Sequence, residues 1–242
     1  MPSTATSTKE SLQFGTLRRL SKLSPLCRIY LGLVVFSLCG SLLSKLTGLQ
    51  PGPIAPIASA ATIGFGFVAI FEPILRTKEK RSIPLLGVAF FGSAAVEIIG
   101  ISTGLPFGTY AYTDAWKPVA DINHHNFPIL LPFAWLLIVG ASITLCNKFR
   151  QPILCGALLA TAIDAIMEPV MTGPLAYWHW NPKGPLPGGA SLLNPIGWFA
   201  TSLIVGLLLK SFPLNQRRIA ATVLAGHLLL TFGIGAISMI AR

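Results

Sequence analysis

The chain has 242 residues, of which 52% are hydrophobic and only 11% charged; a soluble globular domain usually carries roughly a quarter charged residues, so the balance argues against a water-soluble fold. The formal net charge of +10 does not mark a nucleic-acid binder, because the basic residues lie in short clusters between apolar runs and not on one face or tail. Cys27, Cys39, Cys146 and Cys155 lie in or beside apolar runs without the spacing of a zinc or redox motif, and read as small buried hydrophobes.

Residues 1–26, rich in Ser and Thr with scattered Lys and Arg, read as a mobile cytoplasmic tail able to touch anionic lipid. Crossing a hydrocarbon core of roughly 30 Å takes about 20 apolar residues in a helix. Seven stretches qualify or nearly so: 27–46, 57–75, 83–101, 129–146, 152–172, 195–212 and 219–240. Ala58-Ser59-Ala60 has the look of a cleavage site but lies far beyond Lys45, so the first run reads as a permanent helix. The expected fold is all-α: a polytopic integral membrane bundle of seven transmembrane helices over residues 27–242.

Lys and Arg are held back on the cytoplasmic side during insertion. With the N-terminus cytoplasmic, the inner segments hold 14 of the 18 basic residues and leave only Lys45, Lys117, Lys183 and Arg242 outside. That alternation requires an odd number of spans and fits a multi-pass protein of the cell (inner) membrane. The two longest connections, 102–128 and 173–194, then fall outside. Both are dense in Gly, Pro, Trp and Tyr, the composition of functional caps.

Of eight acidic residues, Glu72, Glu97, Asp164 and Glu168 lie within apolar runs. A carboxyl there is costly unless neutral, paired or facing a polar cavity, which makes it a functional candidate. Glu97 is near the outer end of the third helix, and Asp164 and Glu168, four residues apart, share a face of the outer half of the fifth. Glu72 sits one helical turn from Arg76 at the cytoplasmic end of the second, where an ion pair explains it. Pro169 is expected to bend the fifth helix beside the acids. Asn194, Trp198 and Thr201 start the sixth helix at the same depth, and Trp135 on the fourth is expected to face inwards.

The expected pocket is therefore apolar, lined by aromatics, with two or three carboxyls at its outer end. Apolar surroundings disfavour the charged form of a carboxyl, so one acid can be kept protonated to donate to an alkene while another accepts a proton from water. An indole face can stabilise the cation formed. The plainer alternative is that the acids only tie helices together by hydrogen bonds. Trp135, Trp178, Trp180 and Trp198 equally suit an interfacial aromatic belt. His124, His125 and His227 lack partners at metal-ligand spacing, so no metal is expected; His179 is either a cap residue or an ordinary interfacial histidine. A retinal protein is disfavoured because the seventh helix has no lysine for a Schiff base. Glu72-Pro73 and Glu168-Pro169 hint at an inverted repeat of the transporter kind, on too short a match to carry it.

Several segments taken together resemble the membrane-bound carotenoid hydratases of the CruF type. They are Glu97 to Gly100 (EIIG), Thr103 to Tyr110 (TGLPFGTY) with Tyr112-Thr113, and Pro128 to Trp135 (PILLPFAW). Ala160 to Met171 (ATAIDAIMEPVM), Trp178-His179-Trp180, Asn194 and Gly197-Trp198-Phe199 complete the set, in the family's order over residues 57–212. The sequence departs from that pattern at Glu168, where Asp is more usual, and at Ile163, where an aromatic often sits.

The resemblance implies cofactor-independent hydration of the terminal 1,2 double bond of an acyclic carotenoid, an isoprenoid such as lycopene, gamma-carotene or a bacterioruberin precursor. Asp164 or Glu168 is then the expected proton donor. Glu97 and Asn194 would position water or share the proton, and Trp198 and Tyr110, with Trp135, would line the cationic end. Expected partners are the carotenoid, membrane lipid and neighbouring enzymes of the carotenoid pathway. A carotenoid end-group cyclase, which protonates an alkene but excludes water, and a proton-coupled transporter are the competing readings.

Overall fold

The computed structural model describes residues 23–50, 52–76, 81–210, 212 and 214–240. Most of the expected N-terminal tail lies outside them. The described chain is mostly helical, with seven helices: α1 Pro25–Thr47, α2 Ile54–Arg76, α3 Ser82–Thr103, α4 Leu131–Cys146, α5 Pro152–Thr172, α6 Leu193–Leu208 and α7 Arg217–Ser238. All except α4 and α6 are long and apolar enough to cross a membrane. Their ends follow local chemistry. The Ser24 hydroxyl accepts from the Cys27 amide to start α1, and Gly104, at φ +79, closes α3 by returning its N–H to the Gly100 carbonyl.

Helix α4 is the axis of the bundle. It packs against α2, α3, α5, α6 and α7, and 14 of its 16 residues are buried. A helix apolar all round belongs inside protein or lipid, and here it is inside protein. The others surround it in the order α2, α3, α6, α5, α7, and α1 lies on α2 and α7. The Tyr30 hydroxyl fastens α1 by donating to the Val223 carbonyl of α7 at 2.7 Å.

The outward surface inverts the soluble pattern. Val35, Phe36 and Leu43 of α1, Val88 and Phe91 of α3, Ile166 of α5, Ile196 and Ile204 of α6 and Leu229 of α7 are all exposed. So large an apolar surface is what a lipid environment covers. Cysteine follows the same geometry: Cys27 and Cys146 are buried as expected, but Cys39 is exposed on the outer side of α1 and Cys155 is only half-buried. Helix α6 stops at Leu208, four residues before the expected end.

The long connections are not irregular caps. They carry four strands, β1 Tyr110–Tyr112, β2 Val119–Ile122, β3 His125–Pro128 and β4 Trp178–Trp180, which a purely helical expectation left out. Strands β2 and β3 form a hairpin whose turn residues Asn123 and His124 both have positive φ. The Asp121 carboxylate helps shape it by accepting from the His124 amide. Strand β1, from the first connection, pairs antiparallel with β4, from the second, aligning Tyr110 with Trp180 and Tyr112 with Trp178.

Candidate active site

Side chains alternate across a strand, so the β1–β4 ribbon has two unlike faces. Tyr110, Tyr112, Trp178 and Trp180 share the face turned to the helices, and His179 on the other is exposed. The inward aromatics make a close cluster, with Tyr110 and Trp180 centroids 5.3 Å apart and Tyr112 and Trp178 centroids 5.9 Å apart. His179 is thus excluded from the chamber that its tryptophan neighbours line.

The four polar tips meet two buried carboxyls. Glu97 Oε2 accepts from the Tyr110 hydroxyl at 2.6 Å and the Tyr112 hydroxyl at 3.1 Å, while its Oε1 accepts from the Trp135 indole at 2.6 Å. Burial, and then the nearby Glu97 charge, push both tyrosine hydroxyls above their ordinary pKa, so they remain protonated donors. Glu168 Oε1 accepts from the indoles of Trp178 at 2.9 Å and Trp180 at 2.5 Å. Asp164 is served differently: its Oδ2 accepts one bond, 2.8 Å, from the Asn194 amide at the start of α6.

Local packing makes this possible. A Cβ on Gly100 would lie 2.6 Å from the Tyr110 hydroxyl oxygen, so only glycine lets that ring approach α3 beside Glu97. Helix α5 continues through Pro169 to Thr172, whose hydroxyl lies 2.9 Å from the Glu168 carbonyl and 3.0 Å from that of Gly188. This fixes the Pro187–Gly189 turn over the Glu168 end of the helix.

Glu97, Asp164, Glu168, Asn194, Trp198, Tyr110 and Trp135, all the expected site residues, line one cavity of about 60 Å³. Trp135 and Trp198 stack there with centroids 3.7 Å apart and planes 12° from parallel. Thr201 is buried elsewhere on α6. Glu72 lies apart, paired with Arg76 at 2.6 Å. Among the described residues no Lys or Arg lines the cavity, so its carboxyls meet neutral donors and aromatic faces.

Sequence reasoning gave no role in the site to Tyr112, Trp178, Trp180 or His227. Trp178 and Trp180 donate to a carboxyl in addition to any interfacial role, and the Tyr-x-Tyr and Trp-x-Trp alternation is the signal that could have revealed it. His227 of α7, weighed there only as a metal ligand, is buried against the same cavity.

The fold and this chamber define a bundle of apolar helices enclosing an acidic, aromatic-lined cavity beneath a strand-bearing cover. Residues 58–241 match the family model described as carotenoid biosynthesis protein, and the chain belongs to that family. The membership points to a role in carotenoid biosynthesis. No curated protein and no solved structure matches the chain.

Proposed function

We propose that this protein is a carotenoid hydratase, adding water across the terminal 1,2 double bond of an acyclic carotenoid end group without a cofactor. The observation that carries the reading is the unequal service of three carboxyls around one small cavity. Glu97 accepts three hydrogen bonds and has the pattern of a carboxylate. Asp164 Oδ1 and Glu168 Oε2 accept none among the described residues, so either acid has an oxygen available to carry a proton towards substrate.

In this mechanism the acid O–H bond breaks and a C–H bond forms at the less substituted alkene carbon, leaving a tertiary cation. The stacked Trp135 and Trp198 supply π faces at that cation. Water attacks it, forming the C–O bond, and its surplus proton returns to the site carboxylates. The product is a tertiary alcohol and the acid is regenerated.

The same reading takes all seven helices as spans, with the N-terminus cytoplasmic and the chamber near the outer face of the cell membrane. The 16-residue α4 is compatible because protein surrounds it, and α6 because it exposes apolar side chains along its length. A reporter fused after Arg242 is expected outside; a cytoplasmic signal would overturn that topology.

Expression in a lycopene-producing host, followed by pigment mass analysis, tests the activity. Hydration adds the mass of one water per end group. Pigment of unchanged mass but cyclic end groups would replace this reading with cyclisation.

A further inference from the structure

An end group presented to Asp164 and Glu168 trails a long apolar polyene, and the carboxyl cavity of about 60 Å³ has no room for that body. Beside it lies a groove of about 830 Å³ between the C-terminal halves of α1 and α7 and the N-terminal half of α2. This falls in the roughly 300–1,000 Å³ range of ligand pockets. The two spaces share Trp116, Met171 and His227, and so adjoin at those side chains. Trp116 is held at the junction by stacking on Tyr177, with centroids 5.3 Å apart and planes 12° from parallel.

The groove exists because its α1 wall is made of small residues. Ser37, Gly40, Ser41 and Ser44 recur at helical spacing, and a Cβ on Gly40 would meet nothing within 4 Å. The facing α7 wall sets Leu230, Ile234 and Ile237 one turn apart, with Thr231 the polar group among them. Polar groups gather at the rim, where Lys45 donates to the Ser238 carbonyl at 3.1 Å and Asp114 pairs with Lys117 at 3.8 Å. Phe36 and Ile54, also lining the groove, are exposed where lipid would touch them.

We infer that this groove binds the polyene body of the substrate, admitting it from the bilayer while its end group passes the Trp116–Met171–His227 junction to the carboxyls. The inference rests on the hydratase reading for the end group, but polyene retention reports on the groove without turnover.

The test is to purify the full chain in detergent from a lycopene-producing host and measure, by visible absorbance, the polyene retained per protein in either hydrated or unhydrated form. Wild type and Asp164→Asn are expected to retain it. Gly40→Trp, and Ala58→Phe on the α2 wall, are expected to retain about tenfold less, the scale of an overfilled pocket. Gly92→Trp, on an exposed part of α3 where a Cβ also meets nothing within 4 Å, is expected to retain it fully. Undiminished retention by Gly40→Trp and Ala58→Phe overturns the groove, as does a wild type holding only phospholipid. An equal loss in Gly92→Trp also overturns it, since the effect then belongs to bulk in any membrane helix. If wild type binds polyene, Gly40→Trp does not, and no pigment gains water, the groove stands and the hydration chemistry falls.

Discussion

Glu72-Pro73 in α2 and Glu168-Pro169 in α5 are the same dipeptide in two settings. Each glutamate is buried, and each helix runs on past its proline. One turn later α2 places Arg76, whose guanidinium reaches back to Glu72 at 2.6 Å. Helix α5 places Thr172 there, whose hydroxyl lies by the Glu168 backbone carbonyl and leaves the carboxyl unserved. Trp178 and Trp180 serve it instead, from a strand that the next connection folds back over the helix. A carboxyl with a cation on its own helix is satisfied locally. One without it must be met by groups brought from elsewhere, and those groups build a chamber.

The strongest way to break this comparison is to neutralise the chamber acids. Asp164→Asn or Glu168→Gln, whichever acid donates, is expected to lower hydrated carotenoid by on the order of a hundredfold to ten-thousandfold, the weight of a positioned general acid. Membrane insertion should be retained, as judged by protein recovered from the membrane fraction. Full activity in both variants would reduce the chamber to helix-tying hydrogen bonds.

Removing a donor should cost less than removing an acid. Trp180→Phe keeps a six-membered aromatic ring but deletes the pyrrole part of the indole with the N–H that Glu168 accepts, taking one of two donors from a buried acceptor at a cost of about 1–3 kcal/mol. Thermal unfolding of the purified protein should register the loss, and carotenoid turnover should fall with it. A variant unchanged in both would mean that Trp178 alone satisfies the carboxyl.

A third test acts on approach. Gly100→Ala sets a methyl 2.6 Å from the Tyr110 hydroxyl oxygen and is expected to destabilise by about 1–3 kcal/mol through overpacking. In a Tyr110→Phe background the oxygen is gone, so the same substitution should cost measurably less. Additive costs in that double-mutant cycle would show that the crowding lies elsewhere.

The helices were legible because apolar runs of spanning length have few other uses. Residues 152–172 are read from the sequence with the bounds of α5 itself. The acids were legible because a carboxyl in such a run demands a reason, and the i,i+4 pair Asp164 and Glu168 already shared a face. The cover was not legible in the same way. Tyr110, Tyr112, Trp178 and Trp180 alternate visibly, but a three-residue strand does not name its partner. The pairing of β1 with β4 joins the connections that follow α3 and α5, two helices that are not neighbours but both pack on α6. His227 was hidden for another reason: a lone histidine on an apolar helix shows its role only when the cavity beside it is known.

The smallest effect is expected at the other glutamate. Glu72→Gln removes the charge that Arg76 meets, but Arg76 is 77% exposed and keeps its hydration when the pair is lost. With its cation in solvent the pair is largely screened and contributes on the order of 1 kcal/mol, and the amide can still accept a hydrogen bond. Carotenoid turnover should be unchanged and thermal stability nearly so. Arg76→Leu is the harsher substitution, because it leaves Glu72 buried without its cation, and it should destabilise more than Glu72→Gln without selectively lowering turnover. Loss of turnover from Glu72→Gln at wild-type stability would put both Glu-Pro pairs in the chemistry, and a local cation would no longer distinguish structural from functional acids here.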